Sequence, residues 1–363
     1  MKAVKRNGNV CLLELPPELT NPDEKPFLTV SAPEYSGKKA HLILDFSSVQ
    51  IMNGLGASML VKLSTLVKRR GQHLMAFGVS DHYRDVFKVT GLEKVISTYH
   101  NREEAYTIAG VPGSTIDTKT SASTALDITY WAKPVSRLNV PPMPPEAINK
   151  NMRGLGVVGP VDGFGQLWQK TYRLVINKPG VTPESIILTL KQNFPKFQPS
   201  YNRFYPTAKG ILPGEVVAID SSTPGGPVST GVMVLYSDER SFTFITPQGH
   251  PESGWVTFSV SELDGKMVAQ ILGLARANDP VYEAAFHTVG SMMQIRIWTH
   301  VLTSLATYLG TTADVIVEPL CIDSTMRWSQ AGNIWYNAQI RTLFYIPFRF
   351  LKGLFKNSKQ KEK

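Results

Sequence analysis

Cysteine is nearly absent: Cys11 and Cys321 are the two thiols in 363 residues. One widely separated pair builds neither a disulfide framework nor a metal site, so both are expected to be buried free thiols. No apolar run is long enough for a membrane-spanning helix. The opening MKAVKRNGNVCLLELPP carries basic residues but no long apolar core and no small-residue cleavage site, so it reads as a mature cytoplasmic start. No CxxC or HxxxH pair occurs and no Walker or dinucleotide loop is read, so no metal or other cofactor is implied.

Charge is present but uneven. The net charge is +9, with 14 Lys/Arg against 11 Asp/Glu in residues 1–110, 17 against 17 in 111–339, and 7 against 1 in 340–363. Basicity is therefore mostly a property of the tail. A nucleic-acid binder wants a basic face on a folded domain, and that class is set aside.

Three regions follow from composition. Residues 1–110 alternate strand and helix signals. Residues 111–162 are rich in Pro, Ser, Thr and Gly, as in NVPPMPPEAINKN, and read as a linker. Trp131 and Ile128 suggest that part of it packs onto a domain. Residues 163–350 form a second folded unit with a C-terminal extension, and 351–363 a basic tail.

In the first region, NVCLLEL, HLILDF and QHLMAFGV read as strands, the second of the buried parallel type. Gly54 to Arg70 reads as a helix, with Leu55, Met59, Leu63 and Leu66 on one stripe and Gly71 as its stop. Asp81 is expected to cap the next helix, which ends near Gly91. NREEAY starts a third. The order implies an α/β sheet with right-handed crossovers.

The run DFSSVQIMNGLGASML, then KRRGQHLMAFGVS, FKVTGLEKVI and NREEAY, resembles the STAS family of anti-sigma-factor antagonist domains. Asp45, Gly56, Gly71 and Thr90-Gly91-Leu92 carry the likeness. It implies a small sheet with helices on one side, and binding of a protein partner rather than catalysis, through Asn53, Gly54, Leu55, Gly56 and Ser58. The family's switch form has Asp-Ser-Ser-Gly at this turn, with the second serine phosphorylated. Here Leu55 takes that position and has no hydroxyl, so a covalent switch there is chemically impossible. Ser58, one turn further in, is a candidate replacement. A helical serine is otherwise solvated or bonded to a carbonyl behind it.

In the second unit, Thr182 with Pro183 signals a helix start. GEVVAID, TGVMVLY, SFTFITP, GWVTFSVSEL and KMVAQILGLARA form an antiparallel meander of about five strands. Asn278 or Asp279 then caps one helix of roughly thirty residues, about 45 Å long, closed by Gly310. ADVIVEPLCID is a further strand. One strand, a helical insert, a meander and a long helix resemble the SRPBCC (START-like) superfamily. The fold class expected overall is an α/β STAS-like domain, then an α+β domain with a curved antiparallel sheet around a long C-terminal helix.

The second resemblance implies an apolar small-molecule or lipid ligand. Candidate pocket residues are Trp168, Tyr172, Trp255, Phe258, Tyr282, Phe286, Met293 and Trp298. A sheet and helix that pack a solid core would leave no such pocket. A rival reading is a cyclase- or hydrolase-like enzyme. His250 beside Glu252 could act as an acid/base pair, and Arg276, Asp279, Glu283 and His287 cluster at a strand-to-helix corner. The same corner reads first as a helix cap with solvated charges. The end of the chain, AGNIWYNAQIRTLFYIPFRFLKGLFKNSKQKEK, alternates aromatics with basic residues. It suits an anionic membrane surface, docking on the second unit, or a partner groove. The reading reached is a non-enzymatic cytoplasmic regulator with a protein partner and an apolar ligand.

Overall fold

The computed structural model of the chain describes residues 2–7, 10–20, 41–110, 122–148, 151–263, 265–311 and 314–346. Parts of the linker (111–121, 149–150) and the tail beyond 346, read as suited to docking, a membrane surface or a partner groove, lie outside the described residues.

The first unit contains β1 (Lys2–Asn7), β2 (Val10–Glu14), β3 (Glu18–Leu19), β4 (His41–Asp45), β5 (Ile51–Met52), β6 (Leu74–Phe77) and β7 (Ser97–Tyr99). Its main sheet has the order β1-β2-β4-β6-β7, parallel except for the β1–β2 pair, and β3 pairs with β5. Helices α1 (Gly54–Arg69) and α2 (Asp81–Thr90) share one apolar core with Leu13, Leu44 and Ala76. Helix α3 (Arg102–Ile108) covers the opposite face, packing Ala105 and Tyr106 on Leu12, Ile43 and Phe77. Both faces of the strands are thus buried, which corrects the expectation of helices on one side. It also explains the unbroken apolar runs. Asn53 caps α1 by accepting from Leu55 N at 2.9 Å. Ser80, not Asp81, caps α2.

The second unit adds β8 (Val157–Val158), β9 (Leu167–Ile176), α4 (Pro183–Asn193), β10 (Asn202–Pro206), β11 (Val216–Thr223), β12 (Gly226–Ser237), β13 (Ser241–Pro247), β14 (Glu252–Leu263) and β15 (Lys266–Ala277). Then follow α5 (Pro280–Ala285), a π-helical turn (Phe286–Gly290), α6 (Ser291–Tyr308) and β16 (Ile316–Asp323). A last helix spans 338–346. The large sheet runs β10-β11-β12-β13-β14-β15-β9-β16, antiparallel throughout, with β8 beside β13. Strand β10 had no clear alternation in the sequence and was not expected. β16 sits at the sheet edge, where Pro319 is tolerated because it owes no ladder donor. The long helix is not continuous: the π-turn breaks it between α5 and α6, after a cap supplied by Asp279.

Strand alternation gives this sheet two apolar faces. Phe242, Phe244, Phe258 and Ile271 point into a core with Val301, Leu302 and Leu305 of α6. Met233, Leu235, Ile245, Leu272 and Leu274 point the other way, into the core of the first unit. The back of the sheet therefore lies on α1, and thirteen of the sixteen α1 residues are buried. A surface helix buries one stripe; burial all round marks a helix held between two sheets. Within the described linker, Asp127 accepts from Met52 N at 2.9 Å, and Trp131 Nε1 donates to Met52 O at 2.9 Å. Trp131 packs as expected, whereas Ile128 is exposed. Neither cysteine is in a disulfide; Cys11 is buried and Cys321 only partly so.

Candidate functional site: an apolar cavity on the helix side of the sheet

Between the α6 side of the sheet and the broken helix lies a cavity of about 510 Å³. Phe204, Ile219, Val228, Val232 and Phe244 come from strands β10 to β13, and Met293, Ile297 and Trp298 from α6. The π-turn contributes Phe286, Thr288 and Gly290, so the break in the helix borders the cavity. Such turns recur at functional sites because they re-aim side chains within a helix. Small residues opposite the helix, Gly273 and Ala275, leave the space open. The wall is completed by Gln339 of the last helix, whose amide Nε2 donates to Thr223 Oγ1 at 3.1 Å.

The cavity has a polar end. Gln294 Nε2 donates to Glu252 Oε1 at 2.7 Å, while its own Oε1 accepts from Lys170 Nζ at 2.5 Å. Lys170 also donates to Ser291 Oγ at 2.9 Å. His250 Nδ1 is held by the Glu252 backbone N–H at 3.0 Å. Burial pushes His250 down to about 4, so it is neutral at physiological pH. Burial pushes Glu252 up, against the pull of Lys170 and Gln294.

Of the expected pocket residues, Tyr282, Phe286, Met293 and Trp298 line the cavity, and Trp255 borders it. Trp168 is partly exposed, and Tyr172 and Phe258 belong to the solid core beside it. Phe258 stacks on Phe242 at 4.6 Å and meets Trp298 edge-on at 5.4 Å. Thr230 and Ile297 were missed. Alternation along β12 places Thr230 with Val228 and Val232, but parity does not say which face meets a helix.

The polar candidates separate. His250 and Glu252 reach the cavity; Arg276, Asp279, Glu283 and His287 do not. Arg276 is buried, bonding Gly165 O, Thr325 O and the carboxylate of Asp323. Burial works against an ionised Asp323, but the Arg276 and Thr325 hydrogen bonds outweigh it and hold that carboxyl well below the usual range. Asp279 caps α5 and accepts from Asn337 Nδ2 at 2.9 Å. Glu283 accepts from Gln166 N at 3.3 Å and pairs with His287 at 3.3 Å. The corner is thus a structural joint rather than a convergent site. No cluster of metal-ligating side chains occurs among the described residues. Gly154, Gly156 and Gly159 have the spacing of a dinucleotide turn, yet they flank β8 and open no helix.

The residues expected to meet a partner protein are covered by the chain's own second unit. Asn53 Nδ2 donates to Thr20 O at 2.9 Å and to Ser241 Oγ at 3.3 Å. Gly54 lies against Thr243 and Thr257 of the sheet, and Gly56 against Leu19. Leu55 joins the shared core. Ser58 Oγ donates to Gly54 O at 2.7 Å and accepts from Trp255 Nε1 at 2.7 Å. Lys62 Nζ donates to Gln169 Oε1 at 2.6 Å. Asn53 to Ser58 are therefore not a free surface, and Ser58 is closed to a modifying enzyme in this arrangement.

No helix among the described residues is long and apolar enough to cross a membrane. No curated protein matches the chain. Among solved structures, it is similar to an anti-sigma-factor antagonist (STAS) domain protein from Planctomyces limnophilus at 18% identity, covering 30% of this chain and 95% of that one, with a TM-score of 0.27. It is also similar to the di-domain ARO/CYC StfQ from the steffimycin biosynthetic pathway, at 11% identity over 40% of this chain and 50% of that one, with a TM-score of 0.32. Protein Ms6760 from Mycobacterium smegmatis is similar at 16% identity over 39% and 90%, with a TM-score of 0.30. The STAS domain family matches residues 1–105, and the first unit is a STAS domain.

Proposed function

We propose that the second unit binds an apolar small molecule or lipid in its cavity, and that the STAS domain reads its occupancy as a non-enzymatic regulatory module. The observation that carries this is the cavity of about 510 Å³ with largely apolar walls, the usual form of a small-molecule site. The element order of strand, helical insert, meander and long helix also agrees with a START-like unit. An enzyme is disfavoured because the ring of His250 is held by backbone and Glu252 by Gln294, so neither side chain partners the other.

The two functions meet on one strand. Trp255 of β14 borders the cavity and donates to Ser58 on α1. A ligand that shifts Trp255 loosens the first turn of α1, and with it the face that would otherwise meet a protein partner. Ligand and partner then compete through the docking of α1.

Gly273→Phe tests the cavity. A Cβ at Gly273 meets nothing closer than Lys170 O at 4.0 Å, so the ring enters the cavity without a backbone clash. The variant is expected to keep the wild-type melting temperature and to bind N-phenyl-1-naphthylamine at least about tenfold more weakly. Unchanged binding would sink the reading.

A second reading, a membrane-peripheral scaffold, is favoured by one surface. The last helix buries Ala338 and Thr342 but exposes Leu343 and Phe344, and Trp335, just before it in the chain, is exposed too. Arg341 lies on the same helix, and the sequence beyond it is basic. Trp335→Ser with Phe344→Ser is expected to lower flotation on phosphatidylglycerol-containing vesicles by roughly tenfold. Equal flotation of variant and wild type would dismiss it.

A further inference from the structure

We propose that the cavity selects an uncharged amphipathic ligand, an apolar body bearing a hydroxyl or carbonyl oxygen, and turns away fatty acids and other ionised lipids. This rests on the ligand-binding reading and names its ligand class.

The first observation is the charge of the wall. Among the described lining residues there is no lysine and no arginine; Glu252 is the one acid, and His250 the one histidine. A carboxylate or phosphate inside would find no counterion and would face Glu252. An unpaired buried ion is among the most heavily penalised groups in a protein interior. The neighbouring cation, Lys170, stands behind the wall and is committed to Ser291 and Gln294. A cationic ligand fares no better: the carboxyl of Glu252 already accepts from Gln294 and feels the charge of Lys170.

The second observation is what the wall leaves open. Most polar wall groups are already paired: Ser221 with Asn202, Asn202 with Gln198, Thr246 with Val158 and Gly254, Gln339 with Thr223. Thr230 is the exception. Its side chain is 2% exposed, lies in the cavity wall, and its hydroxyl has no hydrogen-bond partner among the described residues. A buried hydroxyl left unpaired is costly, and a ligand oxygen would satisfy it. His250 offers a second point of contact, since the backbone of Glu252 uses only Nδ1 and leaves Nε2 without a protein partner among the described residues. Both groups are neutral, and so is the partner that suits them.

The test is competition on the full chain loaded with N-phenyl-1-naphthylamine. Dodecanol, dodecanoate and dodecylammonium share one chain length and differ in the head group. Dodecanol is expected to displace the probe at about a tenfold lower concentration than either ion. Thr230→Val, which keeps the shape and removes the hydroxyl, is expected to weaken dodecanol about fivefold more than it weakens the probe. Displacement by dodecanoate or dodecylammonium as effective as by dodecanol would overturn the inference while leaving the ligand-binding reading intact. A dodecanol affinity that falls no further than the probe's in Thr230→Val would overturn the assigned contact. Failure of the probe to bind would overturn the cavity reading and this inference with it.

Discussion

Gly54→Leu is expected to undock the two units, splitting one thermal transition into two and lowering overall stability by about 2–4 kcal/mol. The reason is local and steric. A Cβ at Gly54 would lie 2.2 Å from Thr243 Oγ1 and 2.4 Å from Thr257 Oγ1. Those two hydroxyls bond each other at 3.0 Å on the back of the sheet. Both threonines are buried and β-branched, so neither can rotate away cheaply. The only relief is to lift α1 from β13 and β14. That movement would break the Ser58–Trp255 and Lys62–Gln169 hydrogen bonds and open the shared core. Calorimetry read alongside amide hydrogen exchange of α1 checks this. A single transition at the wild-type temperature, with wild-type protection of α1, would show that the contact does not hold the units together.

Arg276→Met is expected to cost about 3–5 kcal/mol at neutral pH, because it leaves Asp323 buried without its main counterion. The guanidinium is fully buried and serves Gly165 O and Thr325 O as well as Asp323, so it joins β15 to the edge strand and the linker end. Arg69 of α1 remains 3.1 Å from Asp323 but is partly exposed and is a weaker substitute. The pH dependence separates charge from packing. In the wild type, the pKa of Asp323 is held below its unfolded value. Its contribution is present above the ordinary carboxylate pKa and is lost as pH falls through the lower folded value. Without Arg276, burial raises the folded pKa instead. The gap between variant and wild type should then narrow from pH 7 to pH 3 in urea denaturation. A constant gap would mean that the lost term is packing and backbone hydrogen bonding.

These two residues also show how far the sequence could be read. The capping signals were legible because a cap acts within three residues: Asn53, Thr182 with Pro183, and Asp279 with Pro280 all start helices where they stand. The meander was legible because turns and two-residue alternation are local. The cap of α2 was misplaced by one residue, since Ser80 and Asp81 are both good acceptors at adjacent positions. Arg276 was grouped with Asp279 and Glu283 by proximity in sequence, yet its partner Asp323 arrives 47 residues later on β16.

The largest revision concerns α1. In the sequence Ser58 reads as part of a partner-binding face, and Lys62 carries no signal of its own. Their partners, Trp255 and Gln169, lie 197 and 107 residues away in the chain. No local pattern distinguishes a polar group that meets water from one that meets a distant donor or acceptor. The sequence could not tell the expected cavity from a solid core for a related reason. Alternation marks which residues share a face of a strand, but empty volume depends on how Gly273 and Ala275 stand opposite Met293 and Trp298 and on the π-turn that bends the helix.

The sequence by itself determined most of the secondary elements, the STAS pattern of residues 1–105, and the absence of a hydroxyl at Leu55. Each of these depends on residue identity or on neighbours within a few positions. Only the tertiary structure decided that the face expected to meet a partner is buried in cis, that Arg276 serves a joint, and that the second unit carries a cavity. Those depend on which distant surfaces meet and on the space left between them, and such packing is a property of the folded chain as a whole.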